Sequence, residues 1–236
     1  MCEIIDNVIP INQWEFDDEV TRCFDDMLKR SIPDYSDMRS LVFNIGKHYV
    51  KIGTAIIDIG CSRGNAIAPF VQTYGDDLNY LLLDCSEPMI QAAKKRFGCS
   101  NENFQILNYD LKQGVPKTNA SLCLSILTLQ FTPIEYRHKI LKSIYDDLCE
   151  GGALIIVEKV LGNTCEIDDA LVSEYYAIKS ENAYTNEQIQ SKRKSLEGVL
   201  VPITAKWNED LLRETGFAQV DCFWRYLNFA GWIAIK

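Results

Sequence analysis

At 236 residues the chain is long enough for one domain with an insertion, and its 47% hydrophobic and 24% charged residues mark it as globular. With 33 acidic against 24 basic side chains and a formal charge of −9, it is too acidic for phosphate-backbone binding to be its main business. No apolar run approaches the roughly 20 residues of a membrane span, and the opening MCEIIDNVIP lacks the basic start and apolar stretch of a secretory leader.

The first 45 residues read as helix. Phe16, Val20, Phe24, Met27 and Leu28 recur at three-to-four spacing, and Asp17, Asp18, Asp25 and Asp26 form a solvated opposite face. Pro33, within SIPDYSDM, forces a turn, and a second apolar helix is predicted from about Met38 to Val50. Residues 1–50 are thus expected to form a helical cap.

From Ala55 the pattern changes to alternating strand and helix. AIIDIG is a short buried strand ending in glycine, followed by a loop and a helix in CSRGNAIAPFVQTYG. NYLLLD is a second strand, ending in Asp84. SEPMIQAAKKRFG then shows a helix capped by Ser86, with Pro88 in the first turn and Gly98 at the end. NFQILNYD, ASLCLSI and GGALIIVEK supply three more strands, with a helix from about Ile134 to Leu148 before the last. Continuous apolar strands of this kind belong to a parallel sheet covered on both faces. Residues 166–198 read as a helical insertion, KWNEDLLRETGF as a further helix, and AQVDCFWRYLNFAGWIAIK as an antiparallel hairpin at the sheet's end. The expected architecture is a single α/β domain over 1–236 with a mostly parallel seven-stranded sheet.

The nine cysteines are scattered without a C-x-x-C, and His48 and His138 stand far apart. Reduced thiols in a cytoplasmic protein, and no metal centre, are the expectation.

Three features of the strand ends point to one ligand. Gly60 and Gly64 bracket the first strand-to-helix turn, where small residues let backbone approach a ligand closely. The dinucleotide pattern G-x-G-x-x-G is absent, because position 62 is Ser62. Asp84 ends the second strand, where a carboxylate accepts both ribose hydroxyls, and Asp110 follows the third, where it sits beside an adenine. Together they suggest an S-adenosylmethionine (SAM) site; the plainer alternative is that Asp84 caps the next helix.

The chain also resembles the carboxy-S-adenosyl-L-methionine synthase family over most of its length. The resemblance rests on FDDMLKRSIPDYSDM, DIGCSRG, SEPMI, LTLQFTPIEYR, GGALIIVEK, NAYTNEQIQSKRKSLEGVL and the closing NFAGWIAIK. It implies a class I methyltransferase (Rossmann-like) fold, a homodimer, and conversion of SAM and prephenate to carboxy-SAM, the donor for a later tRNA wobble-uridine modification. Carried over position by position, its cofactor contacts fall on Tyr35, Gly60, Cys61, Ser62, Asp84, Cys85, Asp110, Leu111, Ile126 and Arg193. Gly64 joins them as the second glycine of the turn.

Within the cationic run SKRK, the resemblance makes Arg193 the clamp for the new carboxylate, with Tyr35 beside it. A guanidinium suits that work because its planar fork holds a carboxylate with two hydrogen bonds. Lys192 and Lys194 are expected to be solvated neighbours, and the plainer reading of Arg193 is a surface pair with Glu197. Two positions depart from the family: Ile126 stands where it has an asparagine, as does Cys85 after the ribose aspartate. Two other readings stay open, an ordinary methyltransferase for an acidic small molecule and a SAM-binding partner subunit without turnover. Direct nucleic-acid and membrane binding are not expected.

Overall fold

The computed structural model describes residues 4–98 and 103–236. Five parallel strands make the body of the sheet: β1 (Ala55–Ile59), β2 (Asn79–Asp84), β3 (Phe104–Asn108), β4 (Ala120–Ile126) and β5 (Ala153–Leu161). A short β6 (Ile203–Thr204) pairs with the end of β5, and β7 (Gln219–Tyr226) and β8 (Phe229–Ile235) form the antiparallel hairpin. The strand order is β3-β2-β1-β4-β5-β8-β7. The sheet thus has eight strands, β6 being the one not expected from sequence; two residues are too short to carry a pattern.

Burial on both faces explains the continuous apolar strands. On one face Ile57, Ile59, Leu83 and Leu154 pack with Ile140 and Ile144 of α5 (Ile134–Asp147) and Leu212 of α8 (Ala205–Glu214). On the other, Ile56, Leu82, Leu122 and Ile155 meet Val42 of α2 (Tyr35–Gly46), Phe70 of α3 (Ala68–Tyr74) and Ile90 of α4 (Glu87–Phe97). Every strand from β1 to β5 runs the same way, so their carboxyl ends share one edge. Each crossover begins there, which is where such sheets bind ligands.

The two helices expected before the sheet are present, with the turn at Pro33 between them, but a non-helical segment precedes the first and the second starts and ends earlier than expected. Residues 4–17 are not helical; α1 runs Asp18–Ser31 and α2 begins at Tyr35. The segment's backbone groups go to other elements. Ser191 Oγ donates to Pro10 O at 2.7 Å, Trp14 N to Ser195 O at 2.9 Å, and Ser86 Oγ to Phe16 O at 2.6 Å. The acidic run is not simply a solvated face. Asp17 caps α1 through Val20 N, Asp25 pairs with Arg63, and Asp26 pairs with Arg30.

The expected helical stretch 166–198 is also two helices, α6 (Cys165–Glu181) and α7 (Asn186–Leu196). Ala183 takes a φ of 64° between them, and Thr185 opens α7 with a capping box completed by Gln188. Arg30 holds the break by donating to Asn182 O at 2.8 Å and Ala183 O at 2.9 Å.

Candidate functional site

The glycine turn after β1 is built for close approach. Gly60 has a φ of 62°, and a Cβ there would stand 2.4 Å from Thr128; at Gly64, φ 73°, it would stand 2.3 Å from Phe97. Neither position admits a side chain. Asp84 ties this turn to the next one, accepting from Ser62 N at 2.8 Å and from Ser86 N at 2.9 Å. Burial pushes its carboxyl up, against the pull of these amides. The Cys85 amide also acts on this carboxylate.

A second loop, after β4, is held against the first by a residue not foreseen from sequence. Glu158 of β5 is buried, and its carboxylate accepts from Thr128 N at 3.3 Å, Leu129 N at 3.0 Å and Gln130 N at 2.7 Å. Thr128 Oγ1 in turn donates to Ile59 O at 2.9 Å, beside Gly60. Burial pushes Glu158 up to about 7. Only the acid within an apolar run marked it, and an acid in VEK reads equally well as a strand end facing water.

Between these loops and the roof made by α1, α6, α7 and residues 4–17 lies a mainly apolar cavity. Its lining includes Tyr35, Gly60, Cys61, Ser62 and Ile126, five of the residues expected there. Asp58 also lines it. It is 1% exposed, its Oδ2 has no hydrogen-bond partner, and burial pushes its carboxyl up to about 7, with Arg39 opposing the shift. The signal was present as the lone acid in AIIDIG. The Cys61 thiol is buried and held well above its usual range by burial and by Asp58 and Asp84.

The remaining expected residues sit at the rim or away from it. Cys85 and Asp110 are exposed beyond the Asp84 end, where Asp110 accepts from Lys112 N at 3.0 Å. Leu111 is half-buried against the α5-side core. Arg193 is exposed on α7, makes no ion pair with Glu197, and does not line the cavity of its own chain. Lys194 is exposed as expected, but Lys192 is not a solvated neighbour: it is 3% exposed, lines the cavity and is paired with Asp6. Helical spacing explains the reversal, since adjacent residues on α7 point about 100° apart. Lys159 and Lys179 were also missed, and both line the cavity.

These features fit SAM. The Gly60–Ser62 turn lines a cavity at the carboxyl edge of the sheet, Asp84 stands at the neighbouring strand end bonded to that turn, and the buried Asp58 carboxyl belongs to the same lining.

Comparison with known proteins agrees. A methyltransferase domain family model matches residues 56–152. The carboxy-S-adenosyl-L-methionine synthase of Methylococcus capsulatus is 37% identical over 231 residues, covering 96% of this chain and 95% of that protein. The Staphylococcus epidermidis enzyme of the same name is 37% identical over 225 residues, covering 95% and 97%. Among solved structures, human N-acetylserotonin methyltransferase with SAM superposes with a TM-score of 0.61 at 15% identity, covering 93% of this chain and 55% of that one. The apo form of the SAM-dependent methyltransferase SibL gives 0.58 at 16% identity, covering 86% and 55%. These structures share the class I methyltransferase fold. The chain is a SAM-dependent transferase, and near full-length identity above 30% means that it belongs to the carboxy-S-adenosyl-L-methionine synthase family.

Proposed function

We propose that the protein converts SAM and prephenate to carboxy-SAM and phenylpyruvate. The observation that carries this reading is the roof. Similarity to the carboxy-SAM synthases runs through α1, α6 and α7, which close an apolar cavity over the glycine turn. In this reaction SAM supplies the S-methyl carbon that becomes carboxylated. Prephenate gives up its ring carboxyl group on aromatising, and its ring hydroxyl leaves as water with one proton from that methyl. The protein's work is to hold both molecules together and to exclude bulk water from the exchange.

In this reading Asp84 accepts the ribose hydroxyls, the Gly60–Ser62 turn and Gly64 let the nucleoside approach, and Asp110 and Leu111 flank the adenine. Cys85 lies beside the ribose end, and Ile126 gives apolar contact near the reacting carbon. The Tyr35 ring faces the sulfonium, a cation–π arrangement. Arg193, exposed on α7, clamps the new carboxylate from the neighbouring copy of a homodimer. The product serves a later tRNA wobble-uridine modification in the cytoplasm, carried out by another protein.

Ile126 favours a second reading, since it removes a polar group near the reacting carbon: ordinary methyl transfer to a small acidic acceptor. Incubation with SAM and prephenate, followed by mass spectrometry of the nucleoside product, separates the two.

A further inference from the structure

Three lysine ammonium groups line the cavity, and two of them lack a polar partner among the described residues. Lys159 at the end of β5, Lys179 on α6 and Lys192 on α7 all line it. Lys192 is paired with Asp6. Among the described residues, Lys159 and Lys179 have no hydrogen-bond or ion-pair partner for their side-chain nitrogens. Asp168 lies near enough to act on Lys159 electrostatically, but its Oδ1 accepts from Gly162 N at 2.7 Å. Of the three lysines, only Lys192 has a carboxylate in direct contact.

Aromatic rings hold these cations in place. Tyr175, 6% exposed, has Lys159 Nζ 4.8 Å and Lys179 Nζ 5.4 Å from its ring centre. The Tyr184 ring is 5.0 Å from Lys179 Nζ and 4.7 Å from Lys192 Nζ. Phe229 meets Tyr175 edge-on at 5.5 Å and also lines the cavity. Cation–π contact alone is a weak return for desolvating an ammonium group. Burial accordingly pushes Lys179 down to about 7 and Lys159 to about 8, so the pair is short of a negative partner.

We infer that Lys159 and Lys179, spaced by the Tyr175 ring, form a second anion site that receives the carboxylates of a small cyclic dicarboxylate co-substrate. The inference rests on the reading above in placing SAM at the glycine turn and Asp84, and it assigns the part of the cavity lined by Lys159, Lys179 and Tyr175 to the co-substrate. Two separated charges match two carboxylates, and the rings of Tyr175 and Phe229 match an unsaturated ring between them. The chain's own Arg193 does not line this cavity.

The test is calorimetric titration of the full chain loaded with S-adenosylhomocysteine, which has no methyl group and so permits no turnover. The titrants are prephenate and 4-carboxyphenylacetate, an aromatic dicarboxylate that cannot aromatise. Lys159→Met and Lys179→Met, which keep the apolar stem, are expected each to weaken titrant binding roughly 10- to 100-fold. Affinity for S-adenosylhomocysteine is expected to stay unchanged, and Lys179→Arg to restore part of the loss. Equal titrant binding by wild type and variants overturns the inference, as does absence of binding to wild type. Parallel loss of S-adenosylhomocysteine affinity also overturns it, because the lysines would then serve the nucleoside side. The two readings fail separately. Without carboxy-SAM formation the titration still reports the anion site, whereas product formation with an unchanged KM for prephenate in the variants removes that site alone.

Discussion

Lys192 on α7 donates a buried hydrogen bond to Asp6, 186 residues earlier in the chain, and the two side chains are 4% and 0% exposed. Tyr184 donates to the same carboxylate, and Val8 N does so at 3.1 Å. This cluster fastens the extended N-terminal segment beneath α7 and so closes one side of the cavity. Asp6→Ala leaves Lys192 buried without its carboxylate, a change that costs about 3–5 kcal/mol. Lys192→Met is expected to cost less, since Asp6 keeps Tyr184 and Val8. Urea unfolding of both variants checks the order.

The same carboxylate sets a pH dependence. Burial pushes Asp6 up, but hydrogen bonds from Lys192 and Tyr184 outweigh it and hold the group below the usual carboxylate range. Its stabilisation is therefore present above the unfolded value near 3.9 and lost as pH falls through the lower folded value. Glu158 runs the other way. With its folded value pushed up to about 7 from an ordinary 4.5, ionisation on raising the pH disfavours the fold. Its contribution is complete below about 4.5 and declines as pH rises toward about 7. Thermal unfolding of the ligand-free protein should show this decline, and Glu158→Gln should flatten it.

Asp84 carries a double duty that the sequence alone does not reveal. Asp84→Ala is expected to weaken SAM roughly 10- to 100-fold, from the loss of charged hydrogen bonds worth about 1.5–3 kcal/mol. It also frees the amides of Ser62 and Ser86, so the unfolding midpoint should fall as well. Unchanged SAM affinity by calorimetry would remove Asp84 from the site.

Nucleic acid should bind poorly despite SKRK. Only Arg193 and Lys194 of its three cations are exposed, which is too little for the extended positive surface that duplex binding uses. Micromolar tRNA affinity at physiological salt, lost on neutralising Arg193 and Lys194, would contradict this.

The sheet and its glycine turn were legible because their signals are local. Apolar runs, strand-ending glycine and the Ser86 cap each act within a few residues. The N-terminal segment was misread because its backbone partners lie on α4 and α7, far along the chain. The break between α6 and α7 was legible in principle, as Thr185 and Gln188 have capping-box spacing. The lysine wall was not, because Lys159, Lys179 and Lys192 come from three separate elements and meet only through tertiary packing.

The most direct measurement is the product itself. Purified protein incubated with SAM and prephenate should yield a nucleoside heavier than SAM by one carbon dioxide, with phenylpyruvate in equal amount. Recovery of SAM unchanged with prephenate unconsumed would contradict the account, and methyl transfer to another acidic acceptor would then replace it.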